Sequence, residues 1–542
     1  MHTTRNQVAE NGTGTERLDR LIAALRDPAR HRNAGRAIER VELLQTHISC
    51  ILLAGDYAYK IKKPLNLGFL NFSTLAARRH YCEEELRLNR RTAPGLYLEV
   101  IAIGGSESAP VIGGGEPVIE YALRMRRFDQ DQLLDRMARR GALTPAHIDA
   151  LARGLAAFHA RIARAGSSEA FGNPALILAP ALQNFEQMLP LASGKADIAV
   201  LARLRDWSAR EHARLAPAFD ARKRAGWVRE CHGDLHLGNI ALLDGVPTPF
   251  DCIEFNANFR WIDVMNELAF LTMDLLDHHL PRLAFRFLNA YLEHTGDYAG
   301  LRVLRYYLVY RALVRAKVSC LRAHQAGVAA VDKGAMEREY RRRLRLAGSL
   351  AAAAHPAMLL MHGLSGSGKT SVAQVFLETL GAVRLRSDVE RKRLHGLDAQ
   401  ARTGAGLDAG PYAPGASERT YARLAELARA VLDARYPLIV DAAFLKRAQR
   451  NLFAGLARDA GAHFLVAACT ASAATLRARV LARERDARDA SEAGPAVLEH
   501  QLAGTEPLAP DELAHTMHID TERGTGAAET TALARRLGLE PD

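Results

Sequence analysis

Lysine is scarce in this chain: only ten of its 72 cationic side chains are lysine, the remainder being arginine. Arginine therefore solvates the surface, and each lysine becomes informative, with three at Lys60, Lys62 and Lys63 and another at Lys369. Cysteine is sparse as well, at six residues (Cys50, Cys82, Cys231, Cys252, Cys320, Cys469) with no CxxC pair. That excludes a disulfide scaffold or zinc module and predicts reduced, mostly buried thiols. No apolar run reaches the roughly 20 residues of a membrane helix, and MHTTRNQVAENGTGT lacks the apolar core of a signal peptide, so a cytoplasmic protein without a membrane partner is expected. No repeat period is present, which excludes a solenoid. The formal charge of +11 suits an anionic small ligand as well as it suits nucleic acid.

What is present is length. At 542 residues with 48% hydrophobic content, the chain exceeds what one core organises, and two or three domains are expected. Residues 1 to 35 read as a mobile or helical lead-in. VELLQTHISCILLAGDYAYKIKKP reads as three short strands, the last two joined by a Gly55-Asp56 turn. Ser73 is placed to cap a helix running to about Thr92, and EPVIEYALRMRRF reads as a further strand. Helical periodicity then dominates to about residue 350, interrupted by ECHGDLHLGNIALLDGVPTPFDCIEF. The basic helix EREYRRRLRLAGSLAAAAHP ends at Pro356, which sets the expected boundary between a 36–350 domain and a 356–542 domain. Beyond it, strands and helices alternate, as in a parallel α/β sheet.

In HGDLHLGN, Asp234 precedes Asn239 by five residues, and FDCIEF delivers Asp251 after a hairpin-like interval. Phosphoryl transfer needs a carboxylate to orient a hydroxyl and accept its proton, and an amide oxygen and second carboxylate to hold magnesium against ATP phosphates. An Asx-capped turn explains any one of these residues but not the ordered set. The order and spacing follow the kinase pattern HRDxxxxN followed by DFG. The first 345 or so residues resemble the aminoglycoside phosphotransferase and choline-kinase-like branch of the protein-kinase fold, in which HGDxxxxN stands for HRDxxxxN. The resemblance implies Asp234 as base, Asn239 and Asp251 as metal ligands, His232 as loop support and Asp263 as a structural buttress.

A kinase lobe also needs an upstream strand lysine and a helix glutamate to hold it. In YAYKIKKP, Lys60 and Lys62 share a face; Lys60 fits the VAIK-like position and Lys62 is the alternative. On the helix, Leu75, Cys82 and Leu86 define a buried face, Glu84 points away, and Glu85 is preferred over Glu83 as the partner. No GxGxxG loop precedes the lysine strand, so backbone NH groups of QTHIS together with the Thr46 and Ser49 hydroxyls are the candidates to cover the phosphates.

The second motif, MLLMHGLSGSGKTSVAQVF, is a strand, a GxxxxGKT loop and a helix. Gly363, Ser365, Gly366, Ser367, Gly368, Lys369, Thr370 and Ser371 would cradle ATP, with Thr370 on magnesium. AVRLRSDVER presents Asp388 at a strand end as a candidate base, with Arg391 near the substrate. PLIVDAAF ends a strand at Asp441, a Walker B-type magnesium acid. Among the arginines of LRARVLARERDARDASEA, Arg479 and Arg483 are the candidates to close over phosphates. Residues 357–542 resemble small-molecule P-loop kinases of the gluconate-kinase, chloramphenicol-phosphotransferase and zeta-toxin-like kind, which implies an Asp388 base.

The whole chain resembles a bacterial group in which an aminoglycoside phosphotransferase part is joined to a P-loop ATP-binding part. The expected function is an ATP- and Mg2+-dependent phosphotransferase with two centres acting on small-molecule hydroxyls. Ala257 through Arg345 carries nine acids against fifteen basic residues, which disfavours a polycationic antibiotic and favours a sugar, polyol or anionic metabolite. The alternatives are a regulatory ATP-binding protein with a non-catalytic kinase-like half and, last, an RNA-binding ATPase using the basic helix.

Overall fold

The computed structural model describes residues 2–31, 38–68, 70–192, 194–325, 329–352, 355–399, 401, 415–486, 491, 493–524 and 526–539. By packing, the chain divides into two compact units: Met1–His147 with Ala157–Leu176 and Lys223–Glu267, and Ile148–Ala156 with Ile177–Arg222 and Leu268–Asp542. The cut by packing falls after Glu267, ahead of the 350 to 356 stretch that separates the two sequence motifs.

The first unit is built on an antiparallel sheet of β1 (Val41–Gln45), β2 (Ser49–Ala54), β3 (Tyr57–Lys62), β4 (Tyr97–Gly105), β5 (Pro110–Ile112) and β6 (Val118–Arg126), ordered β1-β2-β3-β6-β4-β5. The first three strands and β6 lie where the sequence puts them, whereas β4 and β5 fill a stretch not read as strand. The lead-in is helical: α1 (His2–Leu25) buries Leu18, Leu21, Ile22 and Leu25 against Val41, Leu52, Tyr59 and Ile61, while residues 32–35 lie outside the described ones. Because side chains alternate along a strand, Tyr59 and Ile61 of β3 face α1 and send Lys60 and Lys62 to the opposite face. Helix α2 (Leu75–Asn89) presents Glu85 to both lysines there. Its cap is Thr74, whose hydroxyl accepts from the Ala77 amide at 3.1 Å. Ser73 sits one residue too early and donates to Asn71 instead. Below the sheet come β7 (Val228–Glu230), the hairpin β8 (Ile240–Leu243) and β9 (Val246–Pro249), and β10 (Trp261–Asp263) paired with β7.

The second unit combines the helices Pro281–Thr295, Leu301–Ala323 and Ala330–Ala351 with a five-stranded sheet of β11 (Ala357–His362), β12 (Val383–Arg386), β13 (Leu438–Asp441), β14 (His463–Thr470) and β15 (Thr516–Asp520). All pairings are parallel, in the order β12-β13-β11-β14-β15. Apolar runs such as AMLLMH suit strands covered on both faces, and Leu359, Met361, Ile439, Leu465 and Ala467 pack with Val372, Phe376 and Leu377 of the helix Lys369–Leu380. β11 is central, so the loop that follows it opens at the carboxyl edge of the sheet, where ligands bind in such folds. All six cysteines are buried and unbridged. No helix among the described residues is long and apolar enough to cross a membrane.

Candidate functional site

The sequence motifs converge on two centres. In the first unit, Lys60 Nζ donates to Glu85 Oε1 at 2.7 Å and to Asp251 Oδ1 at 2.5 Å. Lys62 Nζ donates to Glu85 Oε2 at 2.7 Å and to Glu254. Glu85 is thus shared by both lysines, and it is fully buried. Burial opposes charge on all three groups, but their mutual attraction prevails: both lysines are held above the ordinary lysine range, and Glu85 below the ordinary carboxylate range. The two lysines nevertheless differ. Lys62 is 1% exposed, flanked by two carboxylates and the Phe72 ring, while Lys60 reaches Asp251, whose side chain is 44% exposed. Lys60 is buried too, at 8% exposed, but it is the lysine that contacts the exposed Asp251, whereas Lys62 pairs with Glu85 and the buried Glu254.

Asp251 has φ +64°, a left-handed conformation that Asp tolerates better than most residues. It is held there by its amide donating to the Tyr97 hydroxyl at 3.0 Å, and by the next amide, that of Cys252, donating to Asn89 Oδ1 at 2.9 Å. In the HGD loop, Asn239 Nδ2 donates to the Asp234 carbonyl and to Asp234 Oδ2, both at 3.0 Å. His232 bonds the Phe250 carbonyl through Nε2 at 2.8 Å, so it supports the loop. Gly233 has φ +90°, and a Cβ there would lie 2.6 Å from the Phe259 carbonyl oxygen, which explains the glycine.

The sequence reading missed the acid that shapes this loop. Glu267 Oε1 accepts from the amides of His232 and Gly233 at 2.6 and 2.8 Å, and its Oε2 meets His159 Nε2 at 2.7 Å. Asp263 is buried and accepts from the Met265 amide, capping the helix Val264–Asp277. Glu254 was likewise missed, although an acid within the apolar run FDCIEF was the available signal. The β1–β2 turn carries the two hydroxyls expected to cover the phosphates. The Thr46 hydroxyl accepts from the Ser49 amide at 3.0 Å to close a tight hairpin, and Ser49 is fully buried. Thr46 is exposed while its hydroxyl serves the turn, and the buried Ser49 hydroxyl has no hydrogen-bond partner.

The second centre is the loop after β11. Gly363 has φ +140°, and a Cβ there would lie 2.4 Å from the Cys469 carbonyl oxygen, so the loop passes too close to β14 for any side chain. Gly366 and Gly368 also take positive φ, the latter starting the Lys369–Leu380 helix. Lys369 Nζ donates to the Leu364 carbonyl at 2.7 Å and lies 3.4 Å from the Ser367 hydroxyl. Burial lowers its pKa, opposed by Asp441, Cys469 and Asp388. The Ser365 amide donates to Gln501 Oε1 at 2.7 Å, a partner the sequence did not suggest. Ser371 is exposed on the first turn of the helix.

Asp441 ends β13 as expected and is buried beside Thr370; burial raises its pKa, countered by Arg386, Arg384, Lys369 and Thr370. Its Oδ2 has no hydrogen-bond partner. A buried carboxylate oxygen left open beside a threonine hydroxyl is a donor set that fits a hydrated magnesium ion. Asp388 lies two residues beyond the end of β12, in the first turn of the helix Ser387–Leu394, with Arg391 Nη1 3.5 Å from its carboxylate. Arg479 donates to the Thr521 hydroxyl and carbonyl at 2.8 and 3.0 Å and reaches the Gly366 carbonyl at 3.4 Å, so it braces the phosphate loop. Arg483 bonds the Ala493 carbonyl and lies near enough to Lys369 to disfavour its charge. Residues 487–490 and 492, the end of the expected arginine helix, lie outside the described residues.

Between Ala257 and Arg345, Asp277 pairs with Arg342 and Arg343 of the same stretch, while Asp297 and Glu293 pair with Arg222 and Arg384 outside it.

Residues 358–508 match the family described as AAA domain. An uncharacterized protein of Mycobacterium tuberculosis is 29% identical over 451 residues, spanning 83% of this chain and 88% of that one. Among solved structures, a gluconokinase from Sinorhizobium meliloti is 21% identical, covering 34% of this chain and 92% of its own (TM-score 0.24). An ethanolamine kinase from Plasmodium vivax is 11% identical, covering 58% and 83% (TM-score 0.36). The match to the AAA domain thus covers the loop after β11 and the strands around it.

Proposed function

We propose that the protein is an ATP-dependent phosphotransferase with two nucleotide centres, one in a 36–350 part and one in a 356–542 part, each acting on a hydroxyl of a small molecule. The observation that carries this reading is the convergence on one centre of Lys60, Glu85, Asp251, Asn239 and Asp234, residues spread over 192 positions of sequence. Bound ATP with Mg2+ would supply the electrophilic γ-phosphorus and screen its charge. Lys60, held by Glu85, is suited to a phosphate oxygen. Asp251 and Asn239 offer the oxygen ligands for the cation. Asp234 is placed to accept the proton of the acceptor hydroxyl as its oxygen bonds to phosphorus, the bond to the β-phosphate oxygen breaks and ADP leaves. In the second centre, Lys369 and the loop amides suit the β and γ phosphates, Thr370 and Asp441 the cation, Asp388 the acceptor proton, and Arg391, Arg479 and Arg483 the surrounding anionic groups. The pairing of acids of the 257–345 stretch with arginine, on top of its basic excess, favours a sugar, polyol or anionic acceptor over a polycation.

One observation favours a second reading, in which the first centre binds ATP without turnover: the β1–β2 hairpin carries no glycine-rich cover, and its Ser49 is buried. Incubation with γ-labelled ATP, magnesium and fractionated small molecules separates the two. Asp234→Ala and Lys369→Ala should each abolish a different labelled product. Loss of label only in Lys369→Ala would support the regulatory reading, and products undiminished in both would defeat the proposal.

A further inference from the structure

Two helices of the second unit, Lys195–Arg224 and Ala330–Ala351, face each other across a groove of about 590 Å3. Arg203, Trp207 and Arg210 line it from the first helix at i, i+4 and i+7, and Arg341, Arg345 and Gly348 line it from the second at the same spacing. Two acids also reach the groove, and both are occupied: Asp197 takes Arg341 at 3.3 Å, and Asp206 takes Arg205 at 3.4 Å. Among the described residues, Arg203, Arg210 and Arg345 form no ion pair, whereas Arg205 and Arg214, exposed on the first helix outside the groove, each hold a neighbouring acid. Three cations are thus left over in one concavity. Trp207 is half-buried, its ring stacked on Tyr306 at 6.4 Å and 18°, so it offers a fixed flat surface. Gly348 lies inside its helix, where only proline is less favourable, and a Cβ there would meet nothing within 4 Å. No close approach and no left-handed angle calls for this glycine; what it does is keep the groove open.

We infer that this groove is a third ligand site, sharing no residue with either phosphate centre, and that it takes a nucleoside phosphate. Guanidinium forks match phosphate oxygens two at a time, and a base can stack on Trp207, a surface that a bare sugar phosphate would leave unused. The volume lies within the range of small-molecule sites. Among the described residues that line it there is no hydroxyl, thiol, imidazole or lysine, and both carboxylates are paired, so the groove is built to bind rather than to turn over. A mononucleotide fits better than a polynucleotide. Of the other arginines on the second helix, Arg342 and Arg343 are held by Asp277, and Arg338 alone adds exposed charge, short of the continuous basic track that a nucleic-acid strand follows.

The test titrates AMP, GMP, CMP and UMP into the full chain by calorimetry, without divalent cation, in a Lys60→Met/Asp251→Asn/Lys369→Ala background that silences the two centres. At least one should bind with a Kd below about 1 mM and more weakly as salt is added. Arg203→Gln/Arg345→Gln, at exposed positions where folding is not at stake, should weaken it about tenfold or more. Trp207→Leu should weaken it about fivefold while leaving the affinity for inorganic pyrophosphate within about twofold. Gly348→Leu should fill the groove and abolish binding with the thermal midpoint unchanged or raised. Arg205→Gln/Arg214→Gln, which removes equal charge outside the groove, should stay within about twofold of the background. Absence of binding by all four mononucleotides at about 1 mM, an equal loss in Arg205→Gln/Arg214→Gln, or indifference to both Trp207→Leu and Gly348→Leu would each overturn the inference. A single-stranded RNA bound more tightly than any mononucleotide, with Arg338→Gln as costly as Arg345→Gln, would overturn it in favour of a nucleic-acid face.

Discussion

The two centres solve the problem of buried charge in opposite ways. Around Lys60 every charge answers another: two lysines share Glu85, Glu254 and Asp251 close the ring, and Asn239 holds Asp234. Around Lys369 the groups are held apart. The lysine leans on a loop carbonyl, and Asp441 Oδ2 has no hydrogen-bond partner. A self-neutralised site is pre-organised, and ligands must rearrange its pairs. An unsatisfied site stores desolvation cost that a ligand relieves. Residues that look alike in sequence, an aspartate at a strand end and a lysine near phosphate, therefore sit in different electrostatic states.

Removing the hub of the first network should break this comparison most severely. Glu85→Ala leaves two buried lysines short of a carboxylate and should destabilise the first unit by about 3–5 kcal/mol, read as a lowered chemical-denaturation midpoint. Lys60→Met should cost less, because Lys62 still satisfies Glu85.

Acid should sharpen the difference. The folded Glu85 pKa is depressed from 4.5, so its contribution is present above pH 4.5 and lost as pH falls toward its folded value of about 2. The folded Asp441 pKa is raised above 3.8 by burial, so its contribution has the opposite sign: it is complete below pH 3.8 and disappears as pH rises through the folded value. Amide hydrogen exchange followed from pH 5 to pH 3 should show protection falling around Glu85 relative to Asp441; parallel loss in both would contradict the contrast.

The smallest effect is expected at the hairpin. Ser49 is fully buried away from any phosphate, so Ser49→Ala should change the ATP dependence of the first centre by less than about twofold. A tenfold rise in KM would show that the turn opens to cover the nucleotide.

Much of this was legible in short stretches. HGDLHLGN and GLSGSGKT announce themselves because backbone loops that approach phosphate or carry a catalytic acid need particular residues at fixed local spacing. The preference for Glu85 rested on helix phase and agrees with the lysine contacts. The cap fell one residue off, on Thr74, because adjacent hydroxyls have the same propensity and only the helix's docked phase chooses between them. β4 and β5 escaped notice since YLEVIAIGG, a strand ending in two glycines, alternates poorly and is defined by its pairing with β6.

Sequence alone determined the two motifs, their order and the strand and helix that carry each, because those depend on contacts within a few residues. Tertiary structure alone decided which of Lys60 and Lys62 contacts Asp251, that Glu267 rather than a nearer residue grips the HGD loop, and that Glu293 pairs with Arg384. Each depends on burying charges far apart in the chain against one another; Lys62 and Glu254 are separated by 192 positions. No local pattern encodes such pairs, since a buried charge takes whichever partner the packed fold brings within reach.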